Sequence, residues 1–331
     1  PPPPPPTTST TTPAATTPTP TTTPAATTAS ATTPAATTTP TPPPSDTPDI
    51  VENDAWTQGG PVQTAAGRIY FEMLTDPDSG SWGGYVCSGT VATDPENNER
   101  SVIVTAAHCI FDDVSKAFAR NVLFIPNQAE TSGGGTDFDC SNDPLGCWAP
   151  AFGVVDVEWT TRTFPSNAKW DYGFYVVETS GAHLGTDAGS DSLEVAAGSM
   201  AVSFASPKFD DASAMGEGAA DYARALGYSY SHDPSFMFCA QDLTLYSATN
   251  WWLSSCGLSG GASGGPWLQA SSTPGEEKHI FSVNSWGFTS LPGMAGPRFD
   301  AGFAQVLTPP SLLPPATASL VHHSYHLILP D

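Results

Sequence analysis

Every tryptophan, tyrosine, phenylalanine and cysteine of this chain lies after residue 48. Residues 1–48 hold only Pro, Thr, Ala, Ser and a single Asp46, with TTPAATT recurring at 11–17, 22–28 and 32–38. Such a stretch has no side chain able to build a core, so nothing offsets the entropy lost on ordering. Frequent proline keeps it extended, and dense threonine beside proline matches the composition of O-glycosylated stalks. Residues 1–48 are expected to be a disordered stalk or linker carrying O-glycans, the plain alternative being an unmodified tail. A chain that opens on Pro1 without a signal peptide reads as a fragment or processed form, with a further domain expected before the stalk.

Folding must therefore come from residue 49 onward. There the chain runs in short β-rich stretches, among them GRIYFEM (67–73), SVIVTAA (101–107), FGVVDVEW (152–159) and HIFSVNSW (279–286), separated by Gly, Pro, Asn and Asp. Long apolar patterns of helical period are absent. Strands this short, at this spacing, predict an all-β sandwich or pair of barrels. The roughly 280 residues that remain exceed what one small barrel needs, which favours two packed together.

The chain carries 33 acidic against 10 basic residues, a net charge of -23. That balance excludes the basic footprint a nucleic-acid-binding surface requires, and it repels anionic membranes. No apolar run is long enough to span a bilayer. Six cysteines without a C-x-x-C pair point to disulfides in a secreted or cell-surface protein rather than to zinc or redox chemistry. With no N-x-S/T sequon, any glycan is expected on Ser or Thr.

Three segments carry chemistry. SVIVTAAHC (101–109) is an apolar strand ending in His108 and Cys109. KWDYGFYVVE (169–178) places Asp171 at the start of another strand. SSCGLSGGASGGPW (254–267) surrounds Ser263 with glycines. Acyl transfer needs a nucleophile, a base to take its proton, and a carboxylate to fix the imidazole tautomer. It also needs donors aimed at the developing oxyanion, and glycine-flanked turns can point the N–H groups of Gly261 and Ser263 inward. Each segment alone is more often structural: a cap, a satisfied histidine, a loop. Their joint occurrence in the order His, Asp, Ser is what gives them weight.

TAAHC, WDYGF and GGASGGP resemble the signature segments of chymotrypsin-fold, trypsin-like serine endopeptidases, over roughly residues 60–310. The resemblance implies two six-stranded antiparallel Greek-key barrels with the active site between them and a short C-terminal helix. Residues 49–185 would form the N-terminal barrel carrying His108 and Asp171. Residues 186–310 would form the C-terminal barrel carrying Ser263, and 311–331 a tail. It also implies His108 as general base, Asp171 as orienting acid and Ser263 as nucleophile of a secreted endopeptidase acting on proteins or peptides. The alternative is an inactive homologue serving adhesion or regulation. SVNSWG (282–287) resembles the strand that binds substrate backbone, with Ser285, Trp286 and Gly287 lining the primary specificity pocket.

The resemblance pairs Cys87 with Cys109, which would pin the His108 loop and stabilise by about 3 kcal/mol in the chain-entropy model. Cys140 and Cys147 flank the turn-prone SNDPLG and are expected to pair locally, leaving Cys239 with Cys256. Ala262 stands where digestive relatives carry the Asp that receives a new N-terminal ammonium. Ile50-Val51 looks like a trypsin-type mature N-terminus but lacks that acidic partner. Gly227-Tyr228 followed by Cys239 looks closer to the glutamyl-endopeptidase-like branch, implying a site formed without ammonium insertion.

By the same resemblance the pocket base falls near Gly257 and Leu258. Without an Asp there, preference for Lys or Arg is not expected. Asn284 stands where glutamyl-specific relatives carry His, and Arg298 is read as a surface residue rather than a partner for an acidic side chain. An apolar or small-residue pocket is expected. Neither a cofactor nor a metal is expected. Asp137, Asp139 and Asp143 read as a solvated acidic loop rather than a calcium site, and the HHSYH run at 322–326 lacks ligand partners.

Overall fold

The computed structural model describes residues 50–94, 100–134, 138–178, 183–185, 192–205, 222–269, 279–307 and 325–327. The stalk expected at 1–48, Asp137, His322, His323, the 186–191 segment where the barrels were expected to divide, and most of the tail lie outside the described residues.

Six strands form the body of the first sheet, in the order Arg120–Pro126, Ala66–Asp76, Ser81–Ala92, Arg100–Thr105, Gly173–Glu178, Phe152–Asp156, each antiparallel to its neighbours. Cys147–Trp148 and His183–Leu184 widen it beyond Arg120–Pro126, and Tyr325–Leu327 adds a strand beyond Phe152–Asp156. Val102, Ile103 and Val104 are consecutive yet all buried. One face of their strand fills the core, while the short helix Leu193–Ala197 covers it, with the Glu194 N–H donating to Ser101 Oγ at 2.9 Å. β-branched residues suit this two-sided burial, and each such side chain taken from water contributes about 1.5–3 kcal/mol.

The second sheet runs Val51–Ala55, Met237–Asp242, Tyr222–Gly227, Pro266–Gln269, His279–Val283, Ala201–Val202. A three-stranded sheet of Thr244–Leu245, Asn250–Leu253 and Met294–Pro297 packs with it around Trp251, Trp267 and Phe281. The pairing of Ala201–Val202 with His279–Val283 is parallel, so one edge departs from the wholly antiparallel expectation. The fold is all-β with few short helices, as expected, and it includes the C-terminal helix Ala301–Leu307.

Each half of the chain lends a terminal piece to the other. Val51–Ala55 leaves the first half to pair with Met237–Asp242 in the second sheet, Val51 opposite Ala240. Ile50 before it is exposed, so the sequence resembling a mature N-terminus is the start of a paired strand and inserts nowhere. The C-terminal helix in turn buries Phe303 against Tyr172 of the first half, ring centroids 4.5 Å apart. A buried ion pair adds a polar link: Arg68 in the first sheet meets Asp233 of the second half, and its Nε donates to Gln128 Oε1 at 2.7 Å. Three disulfides, Cys87–Cys109, Cys140–Cys147 and Cys239–Cys256, are present, and no described cysteine is free.

Candidate active site

His108 lies in a single 3-10 turn, Ala107–Cys109, where the Arg100–Thr105 strand ends. Asp171 follows another such turn, Ala168–Trp170, just before the Gly173–Glu178 strand. Those two strands are paired with Gly173 opposite Thr105, which brings His108 and Asp171 together at one end of the sheet. Asp171 Oδ1 accepts the His108 backbone N–H at 2.9 Å, and Oδ2 lies 2.8 Å from His108 Nδ1. Two bonds to one residue fix the imidazole in both position and plane. The Ser285 hydroxyl donates a third bond to Asp171 Oδ2 at 2.5 Å. Ser285, expected as a pocket wall, thus also braces the carboxylate.

The electrostatics follow from this geometry. Burial of the His108 ring works against its charged form, but the Asp171 carboxylate, aided by Asp113, outweighs it and raises the histidine above its ordinary 6.5. Burial likewise works against the Asp171 anion. The facing His108 and the hydrogen bonds from His108 and Ser285 overcome it, holding Asp171 below the usual carboxylate range. The pair is therefore ready to carry a proton on the imidazole with the aspartate ionised.

Ser263 belongs to the second half, and its turn packs on the strand end that leads into His108. Its carbonyl accepts the Ser88 N–H at 2.7 Å. Next to it, a Cβ on Gly264 would fall 2.0 Å from Thr105 Oγ1 and 2.8 Å from the Ala106 nitrogen, on the residues that lead into His108. Gly264 also has φ +78°, so both space and backbone demand glycine there. Ser263 itself is half-buried at the mouth of a cavity. A bond from Ser263 Oγ to the His108 ring is not among the hydrogen bonds of the described residues. Such bonds commonly tighten only when substrate is bound.

The turn before Ser263 sorts its N–H groups. Ala262 donates to Ser259, Gly264 to Asn284 and Gly265 to Ala262, at 3.1, 2.7 and 3.0 Å. Among the described residues, the N–H groups of Gly261 and Ser263 enter no such bond, and Gly261 takes φ +96°. These are the two donors expected for an oxyanion.

What shapes this turn without an aspartate at 262 is a residue whose role sequence reasoning missed. Asn284 is fully buried and points away from the cavity. Its Nδ2 donates to the carbonyls of Leu226 at 2.7 Å and Ala262 at 2.9 Å, while Oδ1 accepts Trp267 Nε1 at 2.7 Å. Its backbone bonds Gly264 and Gly265. Ser88 adds a second stitch, donating to the Gly261 carbonyl at 2.9 Å and accepting the Tyr228 N–H at 2.8 Å. Ala262 meanwhile packs on Gly227, where a Cβ would sit 2.9 Å from its own. Neutral hydrogen bonds and close packing thus hold this turn. Asn284→Leu, similar in size, would leave the Trp267 indole N–H unpaired and take one donor each from the Leu226 and Ala262 carbonyls, the second of which keeps the Gly265 N–H, and is expected to cost about 2–4 kcal/mol in urea unfolding.

The cavity beside Ser263 holds about 580 Å³. Cys256–Gly260, Ser285–Gly287 and Phe288–Met294 line it, so it contains Gly257, Leu258, Ser285, Trp286 and Gly287 and, among the described residues, no ionisable side chain. Arg298 lies elsewhere, its guanidinium 4.5 Å from the Trp251 ring centre and bonded to the Ala248 carbonyl at 3.1 Å. Asp139 caps its own turn by accepting the Ser141 N–H and hydroxyl.

Comparison with solved structures places the fold in a class: the structural neighbours are chymotrypsin-fold serine proteases. The chain is similar to the protease Anisep from Arthrobacter nicotinovorans, with 25% identity and a TM-score of 0.54 over 75% of this chain and 94% of that one. It is similar to the thermostable serine protease AL20 from an extremophilic microorganism, with 26% identity and a TM-score of 0.54 over 74% and 95%. A Glu endopeptidase shares the fold at 14% identity and a TM-score of 0.50, over 77% and 94%. No protein-family model and no curated protein matches the chain.

Proposed function

We propose that the protein is a secreted serine endopeptidase whose base and orienting acid lie in the 49–185 half and whose nucleophile lies in the 186–310 half. The observation that carries this reading is the doubly bonded His108–Asp171 pair, with the Ser263 turn packed against the strand end that bears His108. Ser263 Oγ attacks the scissile carbonyl while His108 Nε2 takes its proton. Asp171 stabilises the imidazolium, and the Gly261 and Ser263 N–H groups hold the oxyanion. His108 then protonates the leaving amine, and water repeats the sequence on the acyl-enzyme. The likeness to two solved serine proteases at 25% and 26% identity supports the reading. Three disulfides support an oxidising, extracellular setting.

Because no ionisable group among the described residues lines the cavity, an uncharged residue is expected before the scissile bond. Profiling with a random peptide library tests this. Cleavage after small or apolar residues is the expected result, and cleavage chiefly after Lys, Arg, Asp or Glu contradicts it.

Only the neutral imidazole can accept the serine proton, so kcat/KM should fall as pH drops through the His108 pKa. That pKa lies above 6.5, which puts the acid limb of the profile there. A rate level from about pH 5 to 9 is incompatible with His108 as base.

A further inference from the structure

The direction of the Gly261 N–H is set from behind. It belongs to the trans peptide that also carries the Gly260 carbonyl, and in such a peptide N–H and C=O point opposite ways. The Gly260 carbonyl accepts the Tyr230 N–H at 2.7 Å, so the Gly261 N–H faces away from Tyr230. The backing is close. A Cβ on Gly261 would fall 2.7 Å from the Tyr228 carbonyl oxygen and 2.9 Å from the Tyr230 nitrogen. Ser229 Oγ also accepts the Ser259 N–H at 3.2 Å, and the Ser231 and Ser259 hydroxyls lie 3.0 Å apart. Whatever holds residues 228–231 therefore aims an oxyanion donor.

The Tyr230 side chain is exposed, so the hold comes from its neighbours. The 3-10 turn Tyr230–His232 leads to Asp233, whose carboxylate meets the guanidinium of Arg68, fully buried in the Ala66–Asp76 strand. Arg68 is itself fixed: Nε donates to Gln128 Oε1 at 2.7 Å, and Gln128 Nε2 donates to the Tyr70 hydroxyl at 3.2 Å. The guanidinium carbon also lies 5.5 Å from the centre of the Tyr228 ring. One cation from the first half thus grips the segment on both sides of Tyr230, at residue 228 before it and at residue 233 after it. A buried guanidinium is costly to place unless its partners are well set, and Asp233 is the carboxylate that meets this one.

We propose that Arg68 and Asp233 are positioning residues for catalysis: their ion pair fixes the 228–233 segment so that the Tyr230 N–H holds the Gly260–Gly261 peptide with its own N–H turned to the oxyanion. The inference rests on the protease reading above and deepens it. Where residue 262 is alanine, a charge pair remote from Ser263 supports the oxyanion turn through a backbone hydrogen bond.

The test compares a ligand that develops an oxyanion with one that does not. A peptide trifluoromethyl ketone with an uncharged residue before its carbonyl takes a bond from Ser263 Oγ at the carbonyl carbon. The π pair moves to the oxygen and the hydroxyl proton to His108 Nε2. The matching peptide amide fills the cavity without that step. In Asp233→Asn the ketone is expected to bind about thirtyfold more weakly and kcat to fall as far, short of the hundredfold or more that follows outright loss of an oxyanion donor. Amide binding and KM should stay within about twofold of wild type. A loss confined to unfolding lowers the active fraction and moves neither inhibition constant. Because Asn leaves Arg68 buried without its counter-charge, Arg68→Met with Asp233→Ala is made alongside, removing both charges, and should show the same split. A ketone-to-amide affinity ratio within about threefold of wild type in the folded variants overturns the proposal, as does equal weakening of both ligands. If wild-type protein neither cleaves peptides nor binds the ketone covalently, the protease reading fails separately, and hydrogen exchange decides the positioning. The Tyr230 amide should then exchange faster in Asp233→Asn by about tenfold more than the amides of Val102–Val104 do, and a Tyr230 amide that changes no more than those overturns it.

Discussion

Replacing Ser263 with Ala is expected to lower kcat by about 10⁶-fold while leaving the fold and the cavity intact, the scale of losing the nucleophile in triad proteases. Ser263 is half-buried and its carbonyl, not its hydroxyl, bonds Ser88, so the backbone of the turn survives the substitution. What disappears is the atom that bonds the acyl group. Residual hydrolysis, about 10³-fold over water, would come from the Gly261 and Ser263 N–H groups alone, since Ala keeps the second of these. Single-turnover cleavage of an uncharged peptide ester measures it. A variant that kept more than about a hundredth of wild-type activity would remove Ser263 from the role of nucleophile.

Asp171→Asn comes second, with an expected loss of about 10⁴-fold in kcat at neutral pH. Asp171 Oδ2 accepts from both His108 Nδ1 and Ser285 Oγ, and Oδ1 accepts the His108 backbone N–H. An amide cannot accept all three. If its NH2 faces Nδ1, the imidazole must carry its proton on Nε2, the nitrogen that has to receive the serine proton. Loss of the anion also withdraws what stabilises the imidazolium. The same change removes the main influence raising His108, so the acid limb of the residual pH profile should move down. Activity and pH profile moving together separates this role from a loss of packing.

The sequence was most legible where chemistry forces local composition. Glycine on both sides of Ser263 reflects a turn whose Gly264 has no room for a side chain beside Thr105. The apolar stretch before His108 is a strand buried on both faces, and a short continuous apolar run with flanking turns was enough to mark it. The all-β reading was available for the same reason, while the second barrel came from chain length and the C-terminal helix only through the resemblance. What stayed hidden depends on partners far along the chain. Ser88 meets Gly261 across 173 positions and Asn284 meets Leu226 across 58, so neither shows in a local pattern. In the sequence, Asn284 reads only as the residue standing where glutamyl-specific relatives carry His. It is instead turned inward, where two carbonyls and one indole N–H need an amide. The crossing of Val51–Ala55 into the second sheet was equally illegible, since alternation gives a strand but not its partner. Phe138 stood in a loop that charge alone made look acidic, and its edge contact with Tyr70 depends on a partner far back along the chain.

The most direct measurement is reaction with a fluorophosphonate near pH 8, read by intact mass and by peptide mapping. Wild-type protein should gain one phosphonyl group, on Ser263. Ser263→Ala should gain none, and His108→Ala should react far more slowly. A folded wild-type protein that stays unlabelled, or one labelled at another serine, would contradict the assignment of Ser263 as a nucleophile activated by His108 and Asp171.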